Sequence, residues 1–321
     1  TQIAKSDSST ELELNTFTKL GYSFAGWAMS SSASTPDYTN SQSITWFNTN
    51  TTLYAVWTAD DQTLTFKANG GVGDDTTQIA KSDSSTELEL NTFTKQGYSF
   101  AGWARSSSAS TPDYTNGQSI TWVNTNTSLY AVWTADDQTV TFKANGGVGD
   151  DTTQIAKSDS STELELNTFT KLGYSFAGWA MSSSASTPDY TNSQSITWFN
   201  TNTTLYAVWT ADDQTVTFKA NGGVGDDTTQ IAKSDSSTEL ELNTFTKLGY
   251  SFAGWATSSS ASTPDYTNGQ TITWFNTNTT LYAIWTADDQ TLTFKANGGV
   301  GDDTTQIAKS DSSTMLDVNP F

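Results

Sequence analysis

The sequence contains neither cysteine nor histidine. Without cysteine, the chain has no disulfide, no thiolate zinc site and no cysteine nucleophile. Without histidine, it lacks the most common general base and the most common metal ligand of proteins. Carboxylates then remain as candidates for a general base or a metal ligand.

Basic side chains are also scarce. The chain has 14 Lys plus Arg against 34 Asp plus Glu, which gives a formal net charge of −20. Such a surface repels nucleic acids and anionic lipid headgroups, so neither is an expected partner. No apolar run approaches the ~18 residues that a membrane span needs, so no membrane insertion within this chain is expected. Aromatic residues nevertheless make up 12% of the sequence, which is atypical of a disordered acidic chain.

The sequence is a tandem repeat with a period of 76 residues. This period is longer than the 20–50 residues of solenoid repeats and long enough for a small domain with its own core. We therefore predict beads on a string, each a small β-rich module. The string TQIAKSDSST begins at Thr1, Thr77, Thr153, Thr229 and Thr305, and the string GYSFAGWA begins at Gly21, Gly97, Gly173 and Gly249.

Within one repeat, alternation of polar and apolar residues predicts short strands. The segments are 63–68, 76–80, 97–103, 119–122 and 129–133. The first strand ends at an Asn-Gly-Gly turn signal. The sequence Glu-Leu-Glu-Leu at 87–90 could be a strand or one helical turn. A linker of about three residues, 136–138, is expected to leave little freedom between neighbouring modules.

Three motifs carry a resemblance to a known family. The runs TFKANGG, LELNTFTKLGYSFAGWA and LYAVWT follow one another in the repeats. In this respect the chain resembles the Listeria–Bacteroides repeat, also called the internalin-B B-repeat. The resemblance implies a β-grasp-like fold, and it implies a bacterial or archaeal cell-surface protein. In such proteins the repeats usually act as spacers and sometimes as binding modules.

The phase of the repeat predicts three complete modules, at 62–137, 138–213 and 214–289. Residues 1–61 then lack a first strand, and residues 290–321 supply first strands with nothing to follow them. One hypothesis is that the tail strand of one copy completes the head module of another, giving head-to-tail filaments by strand addition. The alternative is that the chain ends fall without regard to module boundaries.

Adjacent carboxylates recur at the predicted linkers and are the candidate metal ligands. Such pairs could bind Ca²⁺ and stiffen the chain, since Ca²⁺ prefers oxygen ligands. The alternative is solvated surface charge, because no EF-hand spacing is present. A second acidic pair, Asp74/Asp75, recurs on a Gly-rich loop. The linker pairs are Asp60, Asp61, Asp136, Asp137, Asp212, Asp213, Asp288 and Asp289.

The tryptophans could stack on sugars or form the core. Each buried aromatic side chain contributes a large apolar area, which a module of this size needs. Trp103 and Trp133 lie in the core motifs of the Listeria–Bacteroides repeat, so the resemblance implies that they are buried. Trp122 is less constrained and could be partly exposed. Potential glycosylation sites with the pattern N-x-[ST] occur in a polar turn that we expect to be exposed. They are Asn50, Asn126, Asn202 and Asn278.

The sequence favours a structural role over catalysis. Near-identical small modules offer no obvious cleft, so we expect no enzymatic activity and no catalytic residues. The predicted function is an extracellular stalk or a filament-forming cell-surface protein. The alternative is a multivalent adhesin that binds glycan or host protein through its repeats with avidity. Met29 is replaced by Arg105 in the next repeat, which favours a spacer over a specific contact.

Overall fold

The computed structural model describes residues 1–318, and its regular structure over that range consists of strands only. This confirms the predicted β-rich class. The strands are β1 Ser9–Glu11, β2 Tyr22–Ala28, β3 Ser43–Thr45, β4 Tyr54–Ala59, β5 Asp61–Lys67, β6 Thr76–Lys81, β7 Ser85–Glu87, β8 Tyr98–Ala104, β9 Ser119–Thr121, β10 Thr127–Ala135, β11 Asp137–Lys143, β12 Thr152–Lys157, β13 Ser161–Glu163, β14 Tyr174–Ala180, β15 Ser195–Thr197, β16 Thr203–Ala211, β17 Asp213–Lys219, β18 Thr228–Lys233, β19 Ser237–Glu239, β20 Tyr250–Ala256, β21 Thr271–Thr273, β22 Thr279–Ala287, β23 Asp289–Phe294 and β24 Thr304–Lys309.

Each complete repeat forms one four-stranded mixed sheet. In the second repeat the strand order is β6-β5-β10-β8, and the two central strands, β5 and β10, run parallel. The outer strands β6 and β8 pair antiparallel with them. The orders β12-β11-β16-β14 and β18-β17-β22-β20 repeat this arrangement. The predicted tandem array of small β-grasp-like modules is therefore confirmed.

A short two-stranded sheet, β7 with β9, lies outside the main sheet of the second repeat. The sequence left 87–90 open between a strand and a helical turn. The structure has strand up to Glu87 and no helix after it. Leu88 is buried in the core, whereas Leu90 is exposed. The alternation of this segment is thus that of extended chain, which turns one leucine inward and the other outward.

The chain divides into two compact units. One unit comprises Thr1–Thr139, Ile155–Thr162 and Thr197–Asn202, and it includes the sheet of the second repeat. The other comprises Val140–Gln154, Glu163–Ile196 and the chain from Thr203 onward, and it includes the sheet of the fourth repeat. The division falls inside the third repeat. The predicted module boundaries at 62, 138, 214 and 290 remain predictions.

A tryptophan is the centre of each core. Trp103 is 1% exposed, and its ring centroid lies 4.7 Å from that of Phe66 and 4.9 Å from that of Phe100. In the other unit Trp255 occupies the same place, 4.7 Å from Phe218. Edge and tilted ring contacts of this kind add to the apolar area that the rings bury.

The sequence left partial exposure of Trp122 open, and the structure excludes it. Trp122 is buried, with 1% of its surface exposed, and its indole N–H donates to the Gln62 carbonyl oxygen at 2.9 Å. The indole closes the core beside the first strand, and its one polar group is satisfied there. Trp133 is half-buried against the core, and its indole N–H donates to the Ala68 carbonyl oxygen at 2.9 Å.

Candidate functional site: the junctions between repeats

Consecutive repeats are joined by a single residue. β10 ends at Ala135, and β11 of the next repeat begins at Asp137. The predicted linker of three residues is therefore too long. Strand pairing in the preceding repeat reaches the joint, because Ala135 still pairs with Tyr98. The equivalent linking residues are Asp60, Asp136, Asp212 and Asp288.

The linking residue is bonded to the repeats on both of its sides. The Asp136 N–H donates to the Gly97 carbonyl oxygen of the preceding repeat at 2.9 Å. Its carbonyl oxygen accepts from the Ser158 N–H of the following repeat, also at 2.9 Å. Ser158 is 3% exposed, so this contact is dry. A hydrogen bond in such a place is costly to leave unmade.

A tyrosine reaches across each junction to an aspartate. The Tyr98 hydroxyl donates to Asp159 Oδ2 at 2.8 Å, and Asn200 Nδ2 donates to Asp159 Oδ1 at 3.0 Å. The Lys95 ammonium lies 3.9 Å from the centre of the Tyr98 ring, a cation–π contact. The same tyrosine–aspartate bond occurs in Tyr22–Asp83, Tyr174–Asp235 and Tyr250–Asp311, at 2.8–2.9 Å.

A glycine allows the second repeat to lie close to Ser158 and Asn200 of the third repeat. Gly97 has a φ of +74°, and a Cβ at this position would lie 2.5 Å from Ser158 Oγ and 2.9 Å from the Asn200 carbonyl oxygen. Both the left-handed backbone and the space require glycine here. The second and third repeats thus touch backbone to side chain with no room for a methyl group.

The junction tyrosine gives a pH prediction. The hydrogen bond to Asp159 raises the pKa of Tyr98, and burial and the carboxylate charge raise it further. The pKa of Tyr98 in the folded chain is therefore above its ordinary value of about 10. The stability that the Tyr98–Asp159 bond contributes is complete below about pH 10 and is lost as the pH rises through the folded pKa. We expect Tyr98→Phe to reduce the fall in melting temperature between about pH 9 and about pH 12. An equal fall in melting temperature for the parent chain and for Tyr98→Phe would contradict this prediction.

The structure gives the two carboxylates of each linker pair different partners. Asp60 Oδ1 accepts from the Ser23 hydroxyl at 2.6 Å, while Asp61 Oδ1 lies 3.0 Å from Lys81 Nζ. The pairs Asp136/Asp137, Asp212/Asp213 and Asp288/Asp289 are arranged alike. Within residues 1–318, no group of three or more acidic side chains is placed to hold a metal ion. Calcium binding at these pairs stays a prediction.

Three of the potential glycosylation sites, Asn126, Asn202 and Asn278, accept a backbone hydrogen bond through the side-chain oxygen. Asn126 is exposed, as expected, and its side-chain oxygen accepts from the Thr63 N–H at 2.8 Å.

On the acidic Gly-rich loop, Asp75 lies 2.5 Å from Lys67 Nζ in an exposed ion pair. Exposed ion pairs of this kind contribute little to stability.

The cross-repeat contacts of Tyr98, Asp159 and Asn200 were not predicted from the sequence. The tyrosine and the aspartate are 61 residues apart, so no local pattern links them. The constant spacing of Gly-Tyr and Ser-Asp in every repeat was the signal. Because most positions of the repeat are equally constant, that signal could not single these residues out.

Together, the fold and the junctions define a tandem-repeat β protein whose small modules contact the next module directly. A family model described as the Listeria-Bacteroides repeat domain matches residues 1–56, 63–132, 139–208 and 215–284, more than half of the chain. The chain belongs to this repeat family. The family is a structural repeat of surface proteins and is not known for catalysis.

Two relatives come from Evansella cellulosilytica. One, named "Putative Gly-rich membrane protein", is 28% identical over 308 residues, which cover 89% of this chain and 31% of the relative. The other, named "Putative membrane protein", is 28% identical over 278 residues, covering 85% of this chain and 40% of the relative. The chain thus spans less than half the length of either relative. Residues 1–318 contain no helix that could cross a membrane.

Proposed function

We propose that the chain is a spacer segment of a bacterial cell-surface protein, in which the repeats add length between an anchor and a functional tip. The observation that carries this proposal is the one-residue junction, at which each linking aspartate is bonded to both neighbouring repeats. Such contacts suit a stalk, since they restrict the angle between consecutive modules. The names of the two relatives, both membrane proteins, support a location at the cell surface.

Removal of one period tests the spacer function. Deleting residues 138–213 joins Asp137 to Gln214, a sequence that already occurs at every junction. In the full-length surface protein, we expect this deletion to bring a tip tag about 30 Å closer to the cell surface without loss of display. Repeats with a specific binding role would instead lose binding with the deletion. If antibodies bind the tag only after cell lysis, the proposed location at the cell surface is wrong.

A second candidate function is multivalent binding to glycan or protein. The same apolar side chains are exposed in every complete repeat, which a repeated binding surface would need. Single exposed apolar residues are also normal on soluble domains, so this observation is weaker than the junction. If the repeats bind, the full chain should bind a multivalent surface about 10²-fold more tightly than one repeat does. The residues are Ile79, Ile155, Ile231, Val72, Val148, Val224, Leu90, Leu166 and Leu242.

We also propose that copies of this 321-residue chain associate head to tail. In the first repeat, Phe17, Trp27 and Trp46 line an open groove at the place where a complete repeat has its first strand. At the other end, Leu292 in β23 is 48% exposed, whereas its counterpart Leu64 is fully buried. The six residues of β23 are identical to the first six of β5, so β23 of one copy is proposed to occupy the groove of another.

Leu292→Asp tests this association. The aspartate would place a charge in the apolar groove, so we expect the variant to remain a monomer where the parent chain forms larger species as its concentration rises. Light scattering during gel filtration gives the mass of each. Ile307→Asp, at an exposed position of the same hairpin, is the control and should associate like the parent. A parent chain that stays monomeric at high concentration would rule the association out.

A further inference from the structure

The first and last strands of each complete repeat are parallel neighbours. In the second repeat, β5 pairs with β10 in the register Leu64 with Thr127 through Lys67 with Tyr130. The chain enters this repeat at the start of β5 and leaves it at the end of β10. Tension along the chain therefore pulls the two strands in opposite directions along their length. All hydrogen bonds of the ladder are then loaded together, instead of opening one at a time.

Side chains extend this ladder at both of its ends. At one end, the Asn126 side-chain oxygen accepts from the Thr63 N–H at 2.8 Å. At the other end, Asn69 Nδ2 donates to the Ala131 carbonyl oxygen at 2.9 Å. Asn69 has a φ of +48°, the left-handed conformation, from which its amide reaches the last strand. Both bonds join the first-strand segment to the last-strand segment and would be loaded with the ladder.

The same bonds occur in the other two complete repeats. Val140 with Thr203 and Val216 with Thr279 begin the equivalent parallel ladders. The side-chain bonds are Asn202 to Thr139 (2.9 Å), Asn145 to Ala207 (2.9 Å), Asn278 to Thr215 (2.8 Å) and Asn221 to Ala283 (3.0 Å). An arrangement present in each complete repeat is a property of the module.

We propose that each complete repeat is a force-bearing module, in which the parallel ladder and its two flanking asparagines form a mechanical clamp between the points where tension enters and leaves. The biological use of the clamp rests on the proposed stalk function, because a stalk transmits the pull between its tip and the cell. The clamp itself is a property of the isolated chain. Its test therefore does not depend on where the protein is located.

The test is unfolding of the full chain at constant force. Because the chain has no cysteine, one cysteine added at each end gives unique attachment points. We expect three equal steps, one for each complete repeat, each releasing up to about 250 Å of chain. Asn69→Gly together with Asn126→Ala, made in all three repeats, should unfold about 30-fold faster, since two loaded hydrogen bonds are lost. The bond from Asn69 Nδ2 to the Ser107 carbonyl oxygen, which is also lost, lies outside the ladder and adds little to the rate. Glycine at position 69 keeps the left-handed backbone.

A matched control removes two hydrogen bonds outside the loaded path. Gln78 in β6 donates to the Glu87 carbonyl oxygen and accepts from the Glu89 N–H, so it ties β6 to the segment that follows it. Gln78→Ala, with Gln154→Ala and Gln230→Ala, should accelerate forced unfolding less than about threefold. Equal acceleration by the glutamine and asparagine variants, or none by the asparagine variants, would overturn the clamp.

A second pulling geometry tests the direction of loading. Asp61 and Lys81 face one another at the open end of the β5–β6 hairpin. Cysteines at these two positions, used as the attachment points, would peel β6 from β5 one pair at a time. We expect this geometry to unfold the second repeat at clearly lower force than pulling from the chain ends. Equal forces in the two geometries would contradict loading of the parallel ladder.

Discussion

Trp103→Ala is expected to raise the unfolded population of the second repeat strongly while the fourth repeat is unaffected. The side chain is 1% exposed and contacts the rings of Phe66, Phe93 and Phe100. Truncating a buried tryptophan typically costs about 3–5 kcal/mol. A domain of 76 residues has a stability of about 4–11 kcal/mol, so the substitution removes between about a quarter and all of it and raises the unfolded population of the second repeat at least about 100-fold.

Limited proteolysis with trypsin measures the effect of Trp103→Ala. Lys67 and Lys81 lie in strands β5 and β6 of the second repeat, and the backbone at these sites becomes more open to cleavage when the repeat unfolds. The fourth repeat, whose core around Trp255 is built from its own residues, should resist cleavage. Cleavage of both repeats at the same rate would mean that the modules do not hold separate cores.

Trp27→Ala in the first repeat is a matched control for Trp103→Ala. Trp27 occupies the position of Trp103 but is only partly buried, and no residue within 1–318 covers it as Phe66 covers Trp103. It still contacts Phe17 and Phe24 at its edges. Trp27→Ala removes the same side chain with less loss of buried area, so its cost should be clearly smaller. A cost equal to that of Trp103→Ala would show that the first strand adds little to the core.

Most of the strands were predictable because their signal is local. The alternation in 63–68 and the turn at Asn69-Gly70 depend on neighbouring residues alone, and β5 lies there as predicted. The burial of Trp122 was not predictable, since it depends on the Gln62 carbonyl oxygen 60 residues away. The one-residue linker was missed for a related reason. The length of a strand is set by its partners, here Tyr98 opposite Ala135, and not by its own residues.

The partners of the acidic pairs were not predictable either, because they too depend on residues distant in the sequence. Two adjacent aspartates in a sequence predict concentrated negative charge, and this charge is present at Asp60 and Asp61. Which way each carboxylate points depends on the strand pairing, because successive side chains of an extended chain face opposite sides. Here one carboxylate meets Ser23 and the other meets Lys81. The sequence alone contained no information on these partners.

Gly97→Ala is expected to break the junction between the second and third repeats while both repeats stay folded. A methyl group at this position would lie 2.5 Å from Ser158 Oγ and 2.9 Å from the Asn200 carbonyl oxygen. The alanine would also be held at a φ of +74°, which costs about 1 kcal/mol or more. The Asp136 N–H and the Ser158 N–H would lose their protected contacts. We expect hydrogen exchange at these two amides to be at least about tenfold faster.

Gly70→Ala separates the clash at the junction from the cost of the backbone. Gly70 has a φ of +85°, yet a Cβ there would meet only Lys95 Nζ at 3.9 Å. The two variants therefore share the left-handed penalty, and Gly97→Ala alone places a methyl group inside a contact between repeats. Exchange at the Asp136 and Ser158 amides should be unchanged in Gly70→Ala. If both variants accelerate hydrogen exchange at these amides equally, close packing at Gly97 does not hold the junction together. The restricted angle between repeats, on which a stalk depends, would then have another origin.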